Sequence, residues 1–198
     1  MVEHQLRRRG LVDERVLRAM AEVPRECFVP EDRRPQALHD QALDIGEGQT
    51  ISQPWVVASM AALLELRGSE RVLDVGTGSG YGAAVLRRLC AAVVSIERHQ
   101  ALADRAAATL TELGADDIEL RVGDGALGAP DRAPFGGIVV SATAEEAPPR
   151  ALLEQLEADA ALVCPVRRDG EERLMRFRAG REEAFSRVRF VPLVSAAG

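Results

Sequence analysis

The length, composition and charge of this chain are those of an ordinary globular protein. Its 198 residues, 46% hydrophobic and 28% charged, suffice for one α/β domain with a full core but not for two. The formal net charge of -6 argues against a nucleic-acid binder that works through bulk electrostatics. No apolar run reaches the length of a membrane span, so we expect no membrane association.

The first third of the chain predicts two helices separated by loops. Apolar residues at three- and four-residue spacing predict a helix over residues 2 to 23, which Pro24 ends. Prolines and glycines from Pro24 to Gln53 predict loops and short strands. Ser52, followed by Pro54 and a second helical repeat, predicts a helix with serine as its N-cap and proline in its first turn.

Strand-like and helix-like runs alternate through the rest of the chain. Strands are predicted at 71–75, 92–97, 118–122, 137–141 and 160–166, and helices at 81–90, 99–113 and 148–157. After Gly170, runs at 172–178 and 184–194 are close enough in sequence to pair antiparallel. We therefore expect one domain with a doubly wound, mostly parallel Rossmann-like sheet and antiparallel C-terminal strands. Residues 1–66 would form an N-terminal cap with a loop, and 67–198 the core, with 71–75 inside the sheet.

The most informative stretch is the turn after the first of these strands, Asp74-Val75-Gly76-Thr77-Gly78-Ser79-Gly80. Glycine has no Cβ and tolerates positive φ, so a ligand can approach this backbone closely. In an open α/β sheet, ligands bind outside the carboxyl ends of the strands, where Asp74 stands. A carboxylate there suits positive charge or hydroxyls better than a pyrophosphate. S-adenosylmethionine, with an ammonium, a sulfonium and a ribose, fits this description.

Two further strands also end in acids. Glu97 lies 21 positions after Gly76, the spacing at which a carboxylate meets the two ribose hydroxyls of an adenosine ligand. Asp124, followed by Gly125, ends the third strand and could accept a hydrogen bond from the adenine amino group. Taken alone, Asp124 is equally well explained as the N-cap of the next helix. The row of Asp74, Glu97 and Asp124 favours a cofactor pocket.

An NAD(P)-dependent oxidoreductase is the alternative from another enzyme class. The pattern Gly78-x-Gly80-x-x-Ala83 fits a loose form of the dinucleotide-binding fingerprint. Its first glycine would then fall three or four residues beyond the end of the strand, and Asp74 would repel a pyrophosphate. Both features favour S-adenosylmethionine.

A second polar loop spans residues 43–54, with Gly46 and Gly48 followed by hydroxyls at Thr50 and Ser52. Backbone N–H groups at a helix N-terminus, together with a serine hydroxyl, favour an anion. Ser52 could be only an N-cap, and one residue can serve both roles.

Five segments match the motifs of one known family: 23–30 (VPRECFVP), 48–54 (GQTISQP), 76–81 (GTGSGY), 123–125 (GDG) and 189–193 (RFVPL). Through them the sequence resembles the protein-L-isoaspartate O-methyltransferases nearly from end to end. The glycine turn is shared by many methyltransferases, whereas 50–54 and the closing FVPL are far more restricted.

The resemblance implies transfer of a methyl group from S-adenosylmethionine to the free α-carboxyl of isoaspartyl residues in damaged proteins. It implies that Ser52 is the active-site residue. The expected substrate-binding residues are Gln49, Thr50, Ile51, Gln53, Val191 and Pro192. The expected cofactor-binding residues are Asp74, Gly76, Thr77, Gly78, Ser79, Gly80, Glu97, Asp124 and Gly125.

Several positions depart from the family pattern. Gly136 stands where the family usually has Asp, Leu38-His39 replaces an aromatic-containing pair, and Trp55 replaces Tyr or His. None removes the expected catalytic residue, although Gly136 costs strand stability and could weaken activity. A non-catalytic S-adenosylmethionine-binding relative, or an enzyme for another carboxylate, is therefore an alternative.

The cysteines and histidines show no metal-ligand spacing, and we expect no metal site. Cys90 and Cys164 sit in apolar runs and are expected to be buried free thiols, which indicates a reducing compartment, the cytoplasm. The one basic run, 7–9 (RRR), is expected to be a solvated helix face and not a nucleic-acid patch. We expect a monomer.

Overall fold

The computed structural model describes residues 1–195, which form ten strands and five α-helices. The last three residues of the expected core, 196–198, lie outside the described part. The strands are β1 Leu43–Gly46, β2 Gln49–Ile51, β3 Arg71–Val75, β4 Ala92–Glu97, β5 Glu119–Val122, β6 Phe135–Val140, β7 Ala144–Glu145, β8 Leu156–Arg168, β9 Glu171–Arg178 and β10 Arg181–Arg187. The helices are α1 Glu14–Glu22, α2 Pro54–Leu63, α3 Tyr81–Arg87, α4 Gln100–Glu112 and α5 Arg150–Leu153.

The central sheet has the order β10-β9-β8-β6-β3-β4-β5, with β7 paired to β8. Strands β8, β6, β3, β4 and β5 run parallel, whereas β8, β9 and β10 pair antiparallel. Strand β3 lies inside the sheet, as its buried sequence predicts. The expected doubly wound, mostly parallel fold with antiparallel C-terminal strands is confirmed. Strands β1 and β2 form a separate hairpin beside it.

Two hydrophobic cores cover the two faces of the sheet. Because successive side chains of a strand point to opposite faces, Val72 packs into one core and Leu73 into the other. Helices α1 to α4 contribute to the first core and Leu152 of α5 to the second. The rigid sheet between these layers fixes the positions of the loops at its carboxyl edge. No helix within residues 1–195 is both long and apolar enough to cross a membrane.

Four of the predicted elements are wrong in extent, and one of them is the strand expected over 160–166, which runs from Leu156 to Arg168. The helix expected over 2–23 is broken, because Gly10 adopts a left-handed φ of 87° and the Asp13 carboxylate caps a new helix at Glu14. The helix expected over 148–157 is only α5, because Leu156 already pairs with Phe135 in the sheet. The strand expected over 184–194 ends with β10 at Arg187.

Candidate active site

A cavity of about 860 Å³ lies at the carboxyl ends of β3, β4 and β6. Its size falls within the roughly 300–1,000 Å³ typical of small-molecule sites. It brings together seven of the expected cofactor-binding residues: Asp74, Gly76, Thr77, Gly78, Ser79, Glu97 and Gly125. It also contains Ser52 and the whole expected substrate set: Gln49, Thr50, Ile51, Gln53, Val191 and Pro192. The two groups of residues therefore face a single space.

The glycine turn after β3 bends the backbone along the cavity wall. Gly76 and Gly78 have φ values of 92° and 55°, which glycine adopts without strain. The N–H of Gly76 donates to the Ile96 carbonyl over 2.8 Å, so the turn is tied to the end of β4. Gly80 is not part of the cavity lining. A Cβ there would lie 3.3 Å from that of Ala106, so this glycine permits close packing of α3 against α4.

Asp74 presents a buried carboxylate to the cavity. The Ser95 hydroxyl donates to Asp74 Oδ2 over 2.7 Å, and the Thr77 and Ser95 hydroxyls lie 2.6 Å apart. Burial raises the pKa of Asp74 to about 6, a rise that the Glu97 charge increases and the Ser95 hydrogen bond opposes. A cationic ligand would favour the ionised form of this carboxylate.

Glu97 is held in one orientation by two backbone N–H groups. Gly78 donates to its Oε2 over 2.8 Å, and His99 donates to its Oε1 over 3.0 Å. Each carboxylate oxygen can still accept a further hydrogen bond. This pre-ordered acceptor pair at the end of β4 has the chemistry required to receive two vicinal hydroxyls.

The structure places Asp124 outside the cavity lining. Its carboxylate caps the short 3₁₀-helix Gly125–Leu127 by accepting from the Ala126 N–H over 2.9 Å. It also accepts from the Ser195 hydroxyl over 2.8 Å. The capping role accounts for this acid, and its contact with adenine stays a prediction. Gly125 does line the cavity, and a Cβ there would lie 2.5 Å from the Val75 side chain.

The predicted N-cap role of Ser52 is wrong. Helix α2 begins at Pro54, its N-cap position is Gln53, and no side chain at that position caps it. The Trp55 N–H donates instead to Asp40 Oδ1 over 2.9 Å. Ser52 is half-buried against the cavity, and its hydroxyl makes no hydrogen bond within residues 1–195. The hydroxyl is therefore available to a ligand.

A strap of residues 188–193 lines the cavity and carries Val191 and Pro192. The Thr143 N–H donates to the Val191 carbonyl, and the Leu193 N–H donates to the Thr143 carbonyl, each over 2.8 Å. Glu172 Oε1 accepts from the Phe190 N–H over 2.6 Å and from the Thr143 hydroxyl over 2.7 Å. These bonds fix the strap against β9 and against the loop after β6.

Sequence reasoning missed several residues of the lining, among them Ser141, Arg98 and Arg189. Ser141 follows β6 and is tied to the sheet by a 2.7 Å hydrogen bond from its N–H to the Val75 carbonyl. The rule that located Asp74 and Glu97 at strand ends could have located it too. Arg189 opens the motif at 189–193, but it follows β10 in irregular backbone, so the strand-end rule does not single it out. Within the described residues, no group of three or more His, Cys, Asp or Glu side chains is placed to hold a metal.

Comparison with known proteins agrees with this geometry. The family model of the protein-L-isoaspartate(D-aspartate) O-methyltransferases matches residues 1–198. A protein-L-isoaspartate O-methyltransferase 2 from Anaeromyxobacter sp. (strain Fw109-5) is 54% identical over 98% of this chain and 81% of its own length. A protein-L-isoaspartate O-methyltransferase from Roseiflexus sp. (strain RS-1) is 51% identical over 94% of this chain and 87% of its own.

Solved structures extend the agreement to the fold. A protein-L-isoaspartate O-methyltransferase superposes with a TM-score of 0.86 at 26% identity, covering 97% of this chain and 64% of that one. A Plasmodium falciparum structure in complex with S-adenosyl-L-homocysteine has a TM-score of 0.80 at 23% identity, covering 95% of this chain and 94% of that one. The resemblance found in the sequence motifs is confirmed, and the chain belongs to the protein-L-isoaspartate(D-aspartate) O-methyltransferase family.

Proposed function

We infer that this protein transfers a methyl group from S-adenosylmethionine to the free α-carboxylate of L-isoaspartyl residues in damaged proteins. The observation that carries this inference is the single cavity that contains both the Asp74–Glu97 acid pair and the unbonded hydroxyl of Ser52. Methyl transfer requires a cofactor and a substrate side by side, and this cavity offers contacts for both.

The residues present suit S-adenosylmethionine. Asp74, Glu97 and the backbone of 76–79 would hold it, since two buried carboxylates match its cationic and hydroxyl groups. When bound, it supplies an electrophilic methyl group on a sulfonium. Asp74 would repel a pyrophosphate, which argues against the NAD(P)-dependent alternative.

The substrate side of the cavity needs orientation more than acid–base chemistry. A carboxylate is already ionised at pH 7, so no general base is needed to make it a nucleophile. Ser52 would donate to one carboxylate oxygen and leave the other free to attack. Gln49, Thr50, Ile51, Gln53, Val191 and Pro192 would hold the peptide around it. Orientation of this kind can supply up to about 7–11 kcal/mol of the barrier.

A methyl-transfer assay with an isoaspartyl peptide and its aspartyl twin tests the function. The two peptides differ only in which carboxyl group lies in the backbone. We expect transfer to the isoaspartyl peptide alone. Equal transfer to both would indicate general carboxyl methylation, and cofactor binding without transfer to either would indicate a non-catalytic relative.

We further propose a monomeric enzyme of the cytoplasm that binds no nucleic acid. The net charge of -6 supports the last point. Cys90 and Cys164 are buried free thiols, as suits a reducing compartment. Light scattering after gel filtration tests the monomeric state.

We also propose that residues 1–66 form a cap and substrate loop on the core that begins at residue 67.

A further inference from the structure

Three residues from distant parts of the sequence form a closed cluster at the start of α2. Asp40 Oδ1 accepts from the Trp55 N–H over 2.9 Å, and Asp40 Oδ2 pairs with the Arg9 guanidinium. The Arg9 guanidinium carbon lies 4.0 Å from the centroid of the Trp55 ring. Asp40 therefore caps the helix while Arg9 holds both Asp40 and the first turn of the helix.

The loop that carries Asp40 is fixed from two sides. Gln5 Nε2 donates to the Leu38 carbonyl over 2.8 Å from the N-terminal segment. The buried Arg25 donates through Nε to the Ala37 carbonyl over 2.8 Å and stacks on the Tyr81 ring. Asp40 is thus held in place independently of α2, which suits it to position the helix.

The Asp40 cap decides what the Ser52 hydroxyl is free to do. Serine is a strong N-cap residue, and its usual partner is the N–H three residues ahead, which for Ser52 is that of Trp55. That N–H is already bonded to Asp40. The next two, of Val56 and Val57, are bonded to the Gln53 carbonyl over 3.1 and 3.2 Å. Pro54 has no N–H to offer.

We propose that Asp40, held by Arg9, is a positioning residue for methyl transfer: it occupies the cap of α2 and so keeps the Ser52 hydroxyl directed at the substrate. Removal of the Asp40 carboxylate would leave the Trp55 N–H unsatisfied, and Ser52 would then turn to cap the helix. The proposal rests on the proposed function for its catalytic consequence, but its structural core concerns only which side chain caps α2.

A double-mutant cycle tests that core without any measurement of activity. In the wild-type background, Ser52→Ala removes no cap and should leave the melting temperature unchanged within about 1 °C. In the Asp40→Ala background, Ser52 has become the cap, and Ser52→Ala should lower the melting temperature by a further 2–4 °C or so. Equal effects of Ser52→Ala in the two backgrounds would overturn the proposal.

Activity provides the second arm, with Asp13 as a matched control. Asp13 caps α1 through the Arg15 and Val16 N–H groups and is not part of the cavity lining. Asp40→Ala should lower kcat on an isoaspartyl peptide at least tenfold and change cofactor affinity less than twofold. Asp40→Asn keeps an acceptor for the Trp55 N–H and should restore kcat to within about threefold of wild type. Asp13→Ala should lower the melting temperature but not kcat.

The outcomes separate the two inferences. If the wild type does not methylate the isoaspartyl peptide, the proposed function fails, and the melting-temperature cycle alone decides the role of Asp40. If the wild type is active, a wild-type kcat in Asp40→Ala would refute the positioning role. So would an equal loss of kcat in Asp40→Ala and Asp13→Ala, because a loss shared with a remote cap reflects stability alone.

Discussion

Ser52→Ala is the sharpest single test of the active site, because the structure separates two roles that the sequence leaves joined. Its hydroxyl lines the cavity and makes no hydrogen bond within residues 1–195. If it donates to the substrate carboxylate, its loss removes one charged hydrogen bond, worth about 1.5–3 kcal/mol. At about 1.4 kcal/mol per factor of ten, kcat/KM for an isoaspartyl peptide should fall roughly 10- to 150-fold.

Stability should respond differently. Loss of a serine N-cap would cost about 0.5–2 kcal/mol, but Asp40 holds this cap, so Ser52→Ala should cost less than about 0.5 kcal/mol. Asp13→Ala, which removes a real helix cap, should show the full cost. Thermal unfolding of the two variants side by side measures the contrast.

Cofactor affinity provides the third measurement. Asp74 and Glu97 lie on the sheet side of the cavity and do not change in Ser52→Ala, so calorimetric titration with S-adenosylmethionine should give a dissociation constant within a few-fold of wild type. A variant that keeps wild-type kcat/KM would refute the catalytic role of Ser52. One that is destabilised as much as Asp13→Ala would refute the assignment of the cap to Asp40.

Four further predictions concern the acids around the cavity. Glu97→Ala should weaken S-adenosylmethionine binding by about 1.5–3 kcal/mol in a calorimetric titration, and an unchanged affinity would show that the ribose lies elsewhere. The affinity of the wild type for S-adenosylmethionine should fall as the pH drops below about 6, because protonated Asp74 no longer attracts a cation. Asp74→Asn should bind S-adenosylmethionine weakly and without this pH dependence. Asp74→Asn should also stabilise the cofactor-free protein at pH 7 by up to about 3 kcal/mol, because the raised pKa makes ionisation of Asp74 costly only in the folded state. This gain in stability should shrink as the pH falls towards 4. Glu172→Ala leaves the Phe190 N–H without its acceptor, so steady-state kinetics should show a higher KM for the peptide and little change in that for the cofactor.

The cofactor side of the cavity was predictable because its signals are local. A buried strand, a glycine turn and an acid at the strand end are read within a few residues, and the sheet rule places such ends side by side. Asp74, Gly76 and Glu97 were found this way, and the structure brings them to one cavity. Asp124 follows the same rule, yet its carboxylate is used by its own 3₁₀-helix. A strand-end acid can serve either purpose, and the strand pattern does not distinguish the two.

The substrate side depends on partners far away in the sequence. A serine two residues before a proline is a good local signal for an N-cap, but Asp40, 15 residues before Trp55, takes that hydrogen bond. The strap at 188–193 has strand-like residues, yet Glu172 and Thr143 bind its backbone from β9 and from the loop after β6. Neither competition is visible until the chain is folded.

The departures from the family pattern find their explanation in the same long-range packing. A Cβ at Gly136 would lie 2.7 Å from the Cβ and Cγ of Glu70, whose carboxylate accepts the N–H groups of Arg67 and Gly68. Gly136 therefore makes room for Glu70, whose carboxylate fixes the turn before β3. The hydrogen bonds of Glu70 offset part of the stability that a glycine costs within a strand.

Trp55 is the second departure with a structural partner, because its ring carries the Arg9 guanidinium that also pairs with Asp40. Of the aromatic side chains, Trp attracts a stacked cation most strongly, so it suits this position better than Tyr. Neither Trp55 nor Gly136, nor the Leu38-His39 pair, belongs to the cavity lining. Gly136 lies near the start of β6, at the edge of the sheet opposite the cavity, whereas Trp55 lies in the first turn of α2, three residues after Ser52.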